Sequence, residues 1–526
     1  MAKIITAEEA AALVKDNDVL AFAPDSLCGW PTEVAFALKE RFLKEGHPAN
    51  ITTIRAAGLG TFEDDDYGEG CFCVEGMLKC SISSYIATSK RLANHVADNK
   101  VQAYMFPMGP LHQLFREAGR GMPGVMSKMG LGTFMDARYG GGKCNERTER
   151  NGEDLVEYIP DFRGEDYLYY RSPGFDVALL RGTRADVRGN ISMEKEPIEV
   201  EMLAVAQAVK ASGGIVIVQV EEVVDLHEIH PRLVKVPGIY VDYVVPAKDV
   251  YNIPQTTGHW NQDEYNYSFT GDEIVDVGEA KPMPFDHKKV IARRAAMELR
   301  KGDMVNFGLG MPQNIPTILA ENDMVHDIYA ISETGVIGGT PAMGRDFGCH
   351  WNPEAFCDNG LHFSFFNGGN LDVGVFGLSE VDRDGNINTS HLNGVIKGVG
   401  GFTDITQSTR RTNIFMGTFT AAGIKVHIED GKVVIDQEGR FRKFIDKVDR
   451  VTFSAKEYMK NHDSLLFITE RCVIRYTKDG FILEEVAPGI DIQTQILDQC
   501  DVELHMPEGG PKLMDASLFT ENDFHL

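Results

Sequence analysis

The run Ile331-Ser-Glu-Thr-Gly-Val-Ile-Gly-Gly-Thr-Pro341 sets one carboxylate, Glu333, beside Gly335, Gly338 and Gly339. The apolar stretch before it, Asp327-Ile-Tyr-Ala-Ile-Ser332, reads as a short buried strand. A Glu at a strand end, on a glycine-rich turn, can be held rigidly against a ligand whose body lies on bare backbone. Partly desolvated, such a group can act as a nucleophile. Two more glycine-rich loops share this half of the chain. Gly308-Leu-Gly-Met-Pro312 follows the strand-like Met304-Val-Asn-Phe307, and Gly398-Val-Gly-Gly-Phe402 lies further on. Their amides can form an oxyanion hole or cradle an anion. The first loop lacks the full GxGxxG of dinucleotide sites, because Pro312 and Gln313 follow, and there is no GxxxxGK[ST] loop or GxSxG elbow. His362 and His391 stand alone and read as structural, and Asp382 and Asn386 read as turn formers.

An internal duplication supplies the elements that must position these groups. Asp176-Val-Ala-Leu-Leu-Arg-Gly-Thr-Arg-Ala-Asp-Val-Arg-Gly-Asn-Ile191 aligns without gaps on Asp372-Val-Gly-Val-Phe-Gly-Leu-Ser-Glu-Val-Asp-Arg-Asp-Gly-Asn-Ile387, at an offset of 196 residues. Each copy reads as a buried strand and a tight turn in which Gly189 or Gly385 takes a positive φ. Upstream, residues 7–31 and 290–312 repeat a helix, a short apolar strand and a Gly/Pro loop. Gly213-Gly-Ile-Val-Ile-Val-Gln-Val-Glu221 is continuously apolar, as strands of a parallel sheet are, and follows a helical stretch at 199–210. The expected fold is therefore α/β: two similar domains, each an open, mostly parallel sheet flanked by helices. The periodicity lapses between about Lys248 and His287, which gives domains at 1–248 and 287–526 with a linker at 249–286. Residues 106–145 read as loops and short helices reaching toward the other half. The first half repeats the scaffold without a counterpart of Ser332-Glu-Thr-Gly335; its loop reads Pro24-Asp-Ser-Leu-Cys-Gly-Trp-Pro31.

Composition narrows the class of partner. The 526 residues carry a formal charge of −26, which argues against nucleic acid and anionic membrane as partners. An anionic small molecule needs only a local positive patch. No apolar run approaches the ~20 residues of a membrane span, and residues 1–18 read as a helix capped at Thr6 rather than as a signal segment. The nine cysteines lack zinc-site spacing. Reduced thiols, no metal and a cytoplasmic protein are expected.

Glu333 within SETGVIGG, the GLGMP loop and GVGGF together resemble the class I CoA-transferases, which couple a GxGxP loop to a nucleophilic Glu in an ExGxxG setting. The likeness is closest to the single-chain propionate/acetate-type branch. Leu180-Arg-Gly-Thr-Arg-Ala-Asp186, Gly-Asn-Ile-Ser-Met-Glu194, Gly130-Leu-Gly-Thr-Phe134, Ile468-Thr-Glu-Arg471 and Ala487-Pro-Gly-Ile-Asp491 extend it over nearly the whole chain. The resemblance implies two CoA-transferase-like domains, with the nucleophile in the second. It implies transfer of coenzyme A between a short-chain acyl-CoA and a short-chain carboxylate (acetate, propionate, lactate or butyrate) by ping-pong catalysis through a glutamyl-CoA thioester on Glu333. Coenzyme A is then a substrate and no cofactor is needed. The resemblance further implies oxyanion and CoA-loop backbone at Phe307, Gly308, Gly310, Gly400 and Gly401, and a substrate pocket at Gly29, Met108, Gly109, Thr334 and Gly335. Lys397, beside the third loop, is the expected CoA contact, and a homotetramer or homodimer the expected assembly. Thr334 replaces the Asn, Ser or Pro frequent in that family, and Met108 replaces a polar Gln. A 3-oxoacid (acetoacetate/succinyl) CoA-transferase and an acyl-CoA hydrolase on the same fold are the alternatives. A sugar-phosphate sensor would need a DNA-binding segment, and no basic helix–turn–helix candidate occurs.

Overall fold

The computed structural model of the chain describes residues 2–249, 253–258, 265–276, 282–392 and 394–526. Thr6 caps helix α1 (Ala7–Leu13) by the reciprocal bonds of a capping box, Glu9 N–H to Thr6 Oγ1 at 3.2 Å and Thr6 N–H to Glu9 Oε2 at 2.9 Å. The helix is shorter than the periodicity suggested. Lys3 and Ile4 are drawn into a strand instead, because the edge of a sheet offers their backbone a partner.

That sheet has eight parallel strands, here β1 (Lys3–Ile4), β2 (Val19–Ala21), β3 (Ile51–Ile54), β4 (Leu78–Ser83), β5 (Gln102–Met105), β6 (Val177–Arg181), β7 (Ile215–Val220) and β8 (Tyr243–Pro246), in the order β1-β8-β7-β6-β2-β3-β4-β5. The second sheet is built from β9 (Met304–Phe307), β10 (Tyr329–Ala330), β11 (Val373–Gly377), β12 (Thr412–Met416), β13 (Ser464–Ile468), β14 (Cys472–Thr477) and β15 (Gly480–Val486), ordered β10-β9-β11-β12-β13-β14-β15, with two short strands beyond β15. It is parallel through β13 and turns antiparallel at β14 and β15.

The duplicated sequence sits on equivalent strands. The neighbours β2-β6-β7-β8 are repeated as β9-β11-β12-β13, and the aligned segments supply β6 and β11. Even the turns agree. Asp186 accepts from the amides of Arg188 (2.8 Å) and Asn190 (3.0 Å), and Asp382 from those of Asp384 (3.0 Å) and Asn386 (2.9 Å). Gly189 and Gly385 adopt φ of 84° and 74° there, which a side chain would resist. The short apolar strand before Glu333 is reduced to the edge pair β10, and Tyr329 on it is 53% exposed, so it is not the buried strand that its composition suggests.

Residues 106–145 contain a longer helix than expected, α2 (Met108–Gly119), and they do reach the other half. α2 packs on α3 (Met202–Ala211), on α4 (Asn359–Asn367) and toward α5 (Phe402–Ser408). The Gly109 amide donates to Asp404 on α5 at 3.1 Å, the Gly130 amide to Gln407 at 2.8 Å, and Arg116 pairs with Asp358 before α4 at 2.9 Å. Parts of the seam, residues 250–252, 259–264 and 277–281, lie outside the described residues. Within its described part, residues 253–257 are packed rather than solvated, with Gln255 donating to the Asn266 carbonyl (3.0 Å) and Thr257 to that of Gly60 (3.4 Å), whereas residues 271–274 are exposed. All nine cysteines are free thiols, and only Cys357 is not fully buried.

Candidate active site

Between the two halves lies a cavity of about 1640 Å³. The first half contributes Asp25, Ser26, Gly58, Tyr85 and Met108 to its wall, and the second contributes Phe307 to Leu309, Ser332 to Thr334, and Lys397 to Phe402. The glycine-rich loop at 398–402 is zipped onto the first half. Ile86 and Ala87 donate to the Lys397 carbonyl (2.9 and 3.0 Å), and Val399 and Gly400 donate to that of Ser84 (2.7 and 3.1 Å). A Cβ on Gly398 would stand 2.5 Å from Tyr85 Cα, so this contact needs glycine.

Glu333 leaves β10 on the turn closed by Gly335, whose φ is 88° and whose added Cβ would meet the Cys357 carbonyl oxygen at 2.1 Å. Thr334 next to it turns inward and donates its hydroxyl to the Gly348 carbonyl (2.5 Å), which fixes the backbone on one side of the carboxylate. The neutral His350 ring holds the other side through the Gly338 carbonyl (2.5 Å); burial pushes that imidazole down to about 4. The carboxylate accepts the Gly401 N–H at 3.1 Å, with no Lys or Arg on it among the described residues. Burial pushes the Glu333 carboxyl above its ordinary range, while the Gly401 bond and the charge of His112 favour the anion. A weakly solvated, hydrogen-bonded carboxylate facing open volume is poised to attack a carbonyl.

The expected oxyanion backbone is mostly committed elsewhere. Phe307 ends β9 in register with Val375, Gly308 donates to the Val375 carbonyl (2.8 Å), Gly310 to the Gln313 side chain (3.0 Å) and Gly400 to Ser84. Of the five, Gly401 alone aims its amide at the reactive group. The expected substrate pocket divides as well. Met108 and Thr334 line the cavity, whereas Gly29, Gly109 and Gly335 are absent from its wall and serve the fold. Gly29 donates to buried Glu196 (3.1 Å), and Gly109 lets α2 approach α4 and α5, where a Cβ would fall 2.4 Å from both Asn367 and Asp404. Lys397 lines the cavity as expected. His391 pairs with Asp449 at 2.6 Å, and buried His362, lowered to about 4, packs among Phe365 and Phe366.

Sequence reasoning missed Asp25, Tyr85, Arg442 and Lys443, which also line the cavity. Asp25 had a signal, since it occupies the first-half copy of the GLGMP loop. Arg442 and Lys443 had none, because a basic pair near a surface strand is commonplace.

Comparison with known proteins follows this geometry. Residues 4–247 match the family model described as "Coenzyme A transferase". The chain is 42% identical to the caffeate CoA-transferase of Acetobacterium woodii, over 99% of this chain and 98% of that one. It is 37% identical to the acetate CoA-transferase YdiF of Escherichia coli K12, over 93% and 90%. Crystal structures of acyl-CoA transferase YdiF from E. coli O157:H7, as apoenzyme and as a thioester complex with CoA, each superpose with a TM-score of 0.90 at 35% identity, covering 99% of this chain and 97% of that one.

Proposed function

Because the chain belongs to the coenzyme A transferase family and is a CoA-transferase, we propose that it exchanges coenzyme A between a short-chain acyl-CoA and a carboxylic acid by ping-pong catalysis on Glu333. The observation that carries this reading is the Glu333 carboxylate, half-buried at the wall of the inter-half cavity, held by one amide and paired with no described cation. The anion attacks the thioester carbonyl of the acyl-CoA; the C–S bond breaks, giving an acyl-glutamyl anhydride and CoA thiolate. The thiolate attacks the glutamyl carbonyl and expels the first acid as its carboxylate, leaving a glutamyl-CoA thioester. A second carboxylate reverses both steps. The scheme consumes no metal or redox cofactor. When the thiolate adds to the glutamyl carbonyl, negative charge grows on a Glu333 oxygen, and the Gly401 N–H, already 3.1 Å from Oε2, is placed to receive it. The YdiF structure described as a thioester complex with CoA supports a covalent route.

Peptide-resolved mass analysis after mixing with propionyl-CoA, without acceptor, tests the reading. A CoA-sized adduct on the Glu333 peptide is expected. Free acid and CoA with Glu333 unmodified would make the protein a hydrolase. The relatives are named for acids as different as acetate and caffeate, so the acceptor panel must span short aliphatic and aromatic acids, with succinate and acetoacetate included.

Lys397, Arg442 and Lys443 are the cations on the cavity wall proposed to meet the CoA phosphates. Burial lowers Lys443 to about 8, against the pull of Glu470. Its charge is therefore lost as pH rises through about 8, and KM for the acyl-CoA should climb above that pH. In Lys443→Met, KM should be raised about tenfold at pH 7, the cost of one charged hydrogen bond, and should stay flat to pH 9. Steady-state kinetics across pH checks this; a wild-type KM that is level to pH 9 would refute it.

A further inference from the structure

The scheme above leaves unused a second carboxyl group that the first half brings to the same cavity. Asp25 lines the cavity with Glu333, and no salt bridge among the described residues reaches it. Its loop is held from several directions. Asp25 and Cys28 exchange backbone bonds (3.1 and 2.9 Å), and Ser26 donates to the Gly58 carbonyl at 2.8 Å. The Cys28 thiol (3.2 Å) and the Gly29 amide (3.1 Å) both donate to Glu196, itself clamped by Arg181 at 2.7 Å. Ser26 sits at φ +56°, a left-handed conformation that a serine adopts only when its surroundings impose it. So rigid a mount for a carboxyl without a cation calls for a reason.

The titratable groups whose charges act on Asp25, or are acted on by it, are Glu333, Glu201 at the start of α3, His112 on α2 and the Cys349 thiol, and Ser26 hydrogen-bonds its carboxyl. His112 lies 2.8 Å from Glu201, so its charge is already matched. The cavity cations Lys397, Arg442 and Lys443 are not among the groups acting on Glu333 or Asp25. The acceptor acid enters when Glu333 is a neutral thioester and brings its own anion in place of the Glu333 charge, and two carboxylates cannot both stay charged in one poorly solvated space. In the free enzyme, burial, and then the Glu333 charge, push the Asp25 carboxyl up to about 7; burial persists in the thioester form, where the charge of the incoming acid acts in the same direction.

Resting on the transferase reading, we infer that Asp25 is a specificity residue that keeps its proton and donates a hydrogen bond to the carboxylate of the incoming acid. It does the work usually given to an arginine without adding a cation that would quench Glu333. Deprotonated, it repels the same substrate.

The test is the KM for acetate with propionyl-CoA as donor, from pH 5.5 to 8.5, in the wild type, Asp25→Asn and Asp25→Ala. In the wild type, KM for acetate should be level below about pH 6.5 and rise toward tenfold per pH unit above about 7.5, as loss of one proton requires. Asp25→Asn keeps a donor that cannot ionise, so its profile should be flat. Asp25→Ala should raise KM for acetate about tenfold at pH 6, and KM for propionyl-CoA should stay within twofold in both variants. A level wild-type profile, an Asn variant that follows the wild type, or a parallel change in the propionyl-CoA KM would overturn the proposal. The CoA adduct on Glu333, measured without acetate, separates the two readings. Its absence from the wild type defeats the transferase scheme, whereas a normal adduct with an unchanged acetate KM defeats only the role of Asp25.

Discussion

Glu333→Gln is expected to lower acyl-CoA turnover about 10⁴-fold or more and to abolish the CoA adduct. The amide matches the carboxylate in shape and can still accept the Gly401 N–H seen at 3.1 Å. What it lacks is the charged oxygen nucleophile, and removing a nucleophile ordinarily costs most of the catalysed rate. Stability should move the other way. Burial raises the folded-state pKa of Glu333, so the native protein favours the protonated form. That preference stabilises the fold fully below the unfolded pKa and is lost as pH rises through the folded one. The glutamine variant has no such loss, so its Tm should exceed that of the wild type at pH 8 and converge with it near pH 4. Calorimetry at the two pH values, beside the adduct assay, separates lost chemistry from lost structure. A Gln variant that retained a tenth of the wild-type rate would remove Glu333 from the mechanism.

Gly401→Ala should cost about 100-fold in kcat/KM with little effect on folding. Gly401 has φ −80° and ψ −5°, helical values that alanine adopts freely. An added Cβ would nevertheless stand 2.2 Å from Glu333 Oε2 and 3.2 Å from Phe363 Cζ. Of these two neighbours the carboxylate is the one at the end of a flexible side chain, so it must give way, and displacement of a reacting group by about 1 Å is worth about that factor. The backbone N–H survives the substitution, so the loss reports placement rather than a missing donor. Gly400→Ala is the contrasting control. There φ is 54° and the nearest heavy atom to an added Cβ is Tyr85 Cδ2 at 4.0 Å, so backbone strain should lower Tm while Glu333 is left untouched. Stopped-flow measurement of adduct formation decides between these outcomes. Wild-type adduct rates in Gly401→Ala would show that the carboxylate does not work from the position seen here.

Several features were legible in the residues themselves because they are local. The glycine run after Glu333 announces a tight turn, and Gly335 occupies it at φ 88°. The paired segments at 176–191 and 372–387 announce repeated strands and Asx turns, and β6 and β11 with Asp186 and Asp382 realise them. The uninterrupted apolar run at 213–221 announces a strand covered on both faces, as β7 is.

What remained hidden depends on partners far away in the chain. An amide in a glycine loop is available for chemistry only if no carbonyl has taken it, and the carbonyls that take Gly308 and Gly400 belong to Val375 and Ser84. No spacing rule within the loop reveals either. Gly29 and Gly109 are expected at the pocket from the resemblance, and what their amides meet within the fold is Glu196 and α5. Asp25 and Lys443 lie 418 residues apart and reach one cavity only when the two halves close on it. Local pattern therefore determined the elements, the turn and the candidate nucleophile. The tertiary structure decided which amide faces Glu333 and which side chains share its cavity, because hydrogen-bond satisfaction and desolvation are set by contacts between segments that the sequence keeps apart.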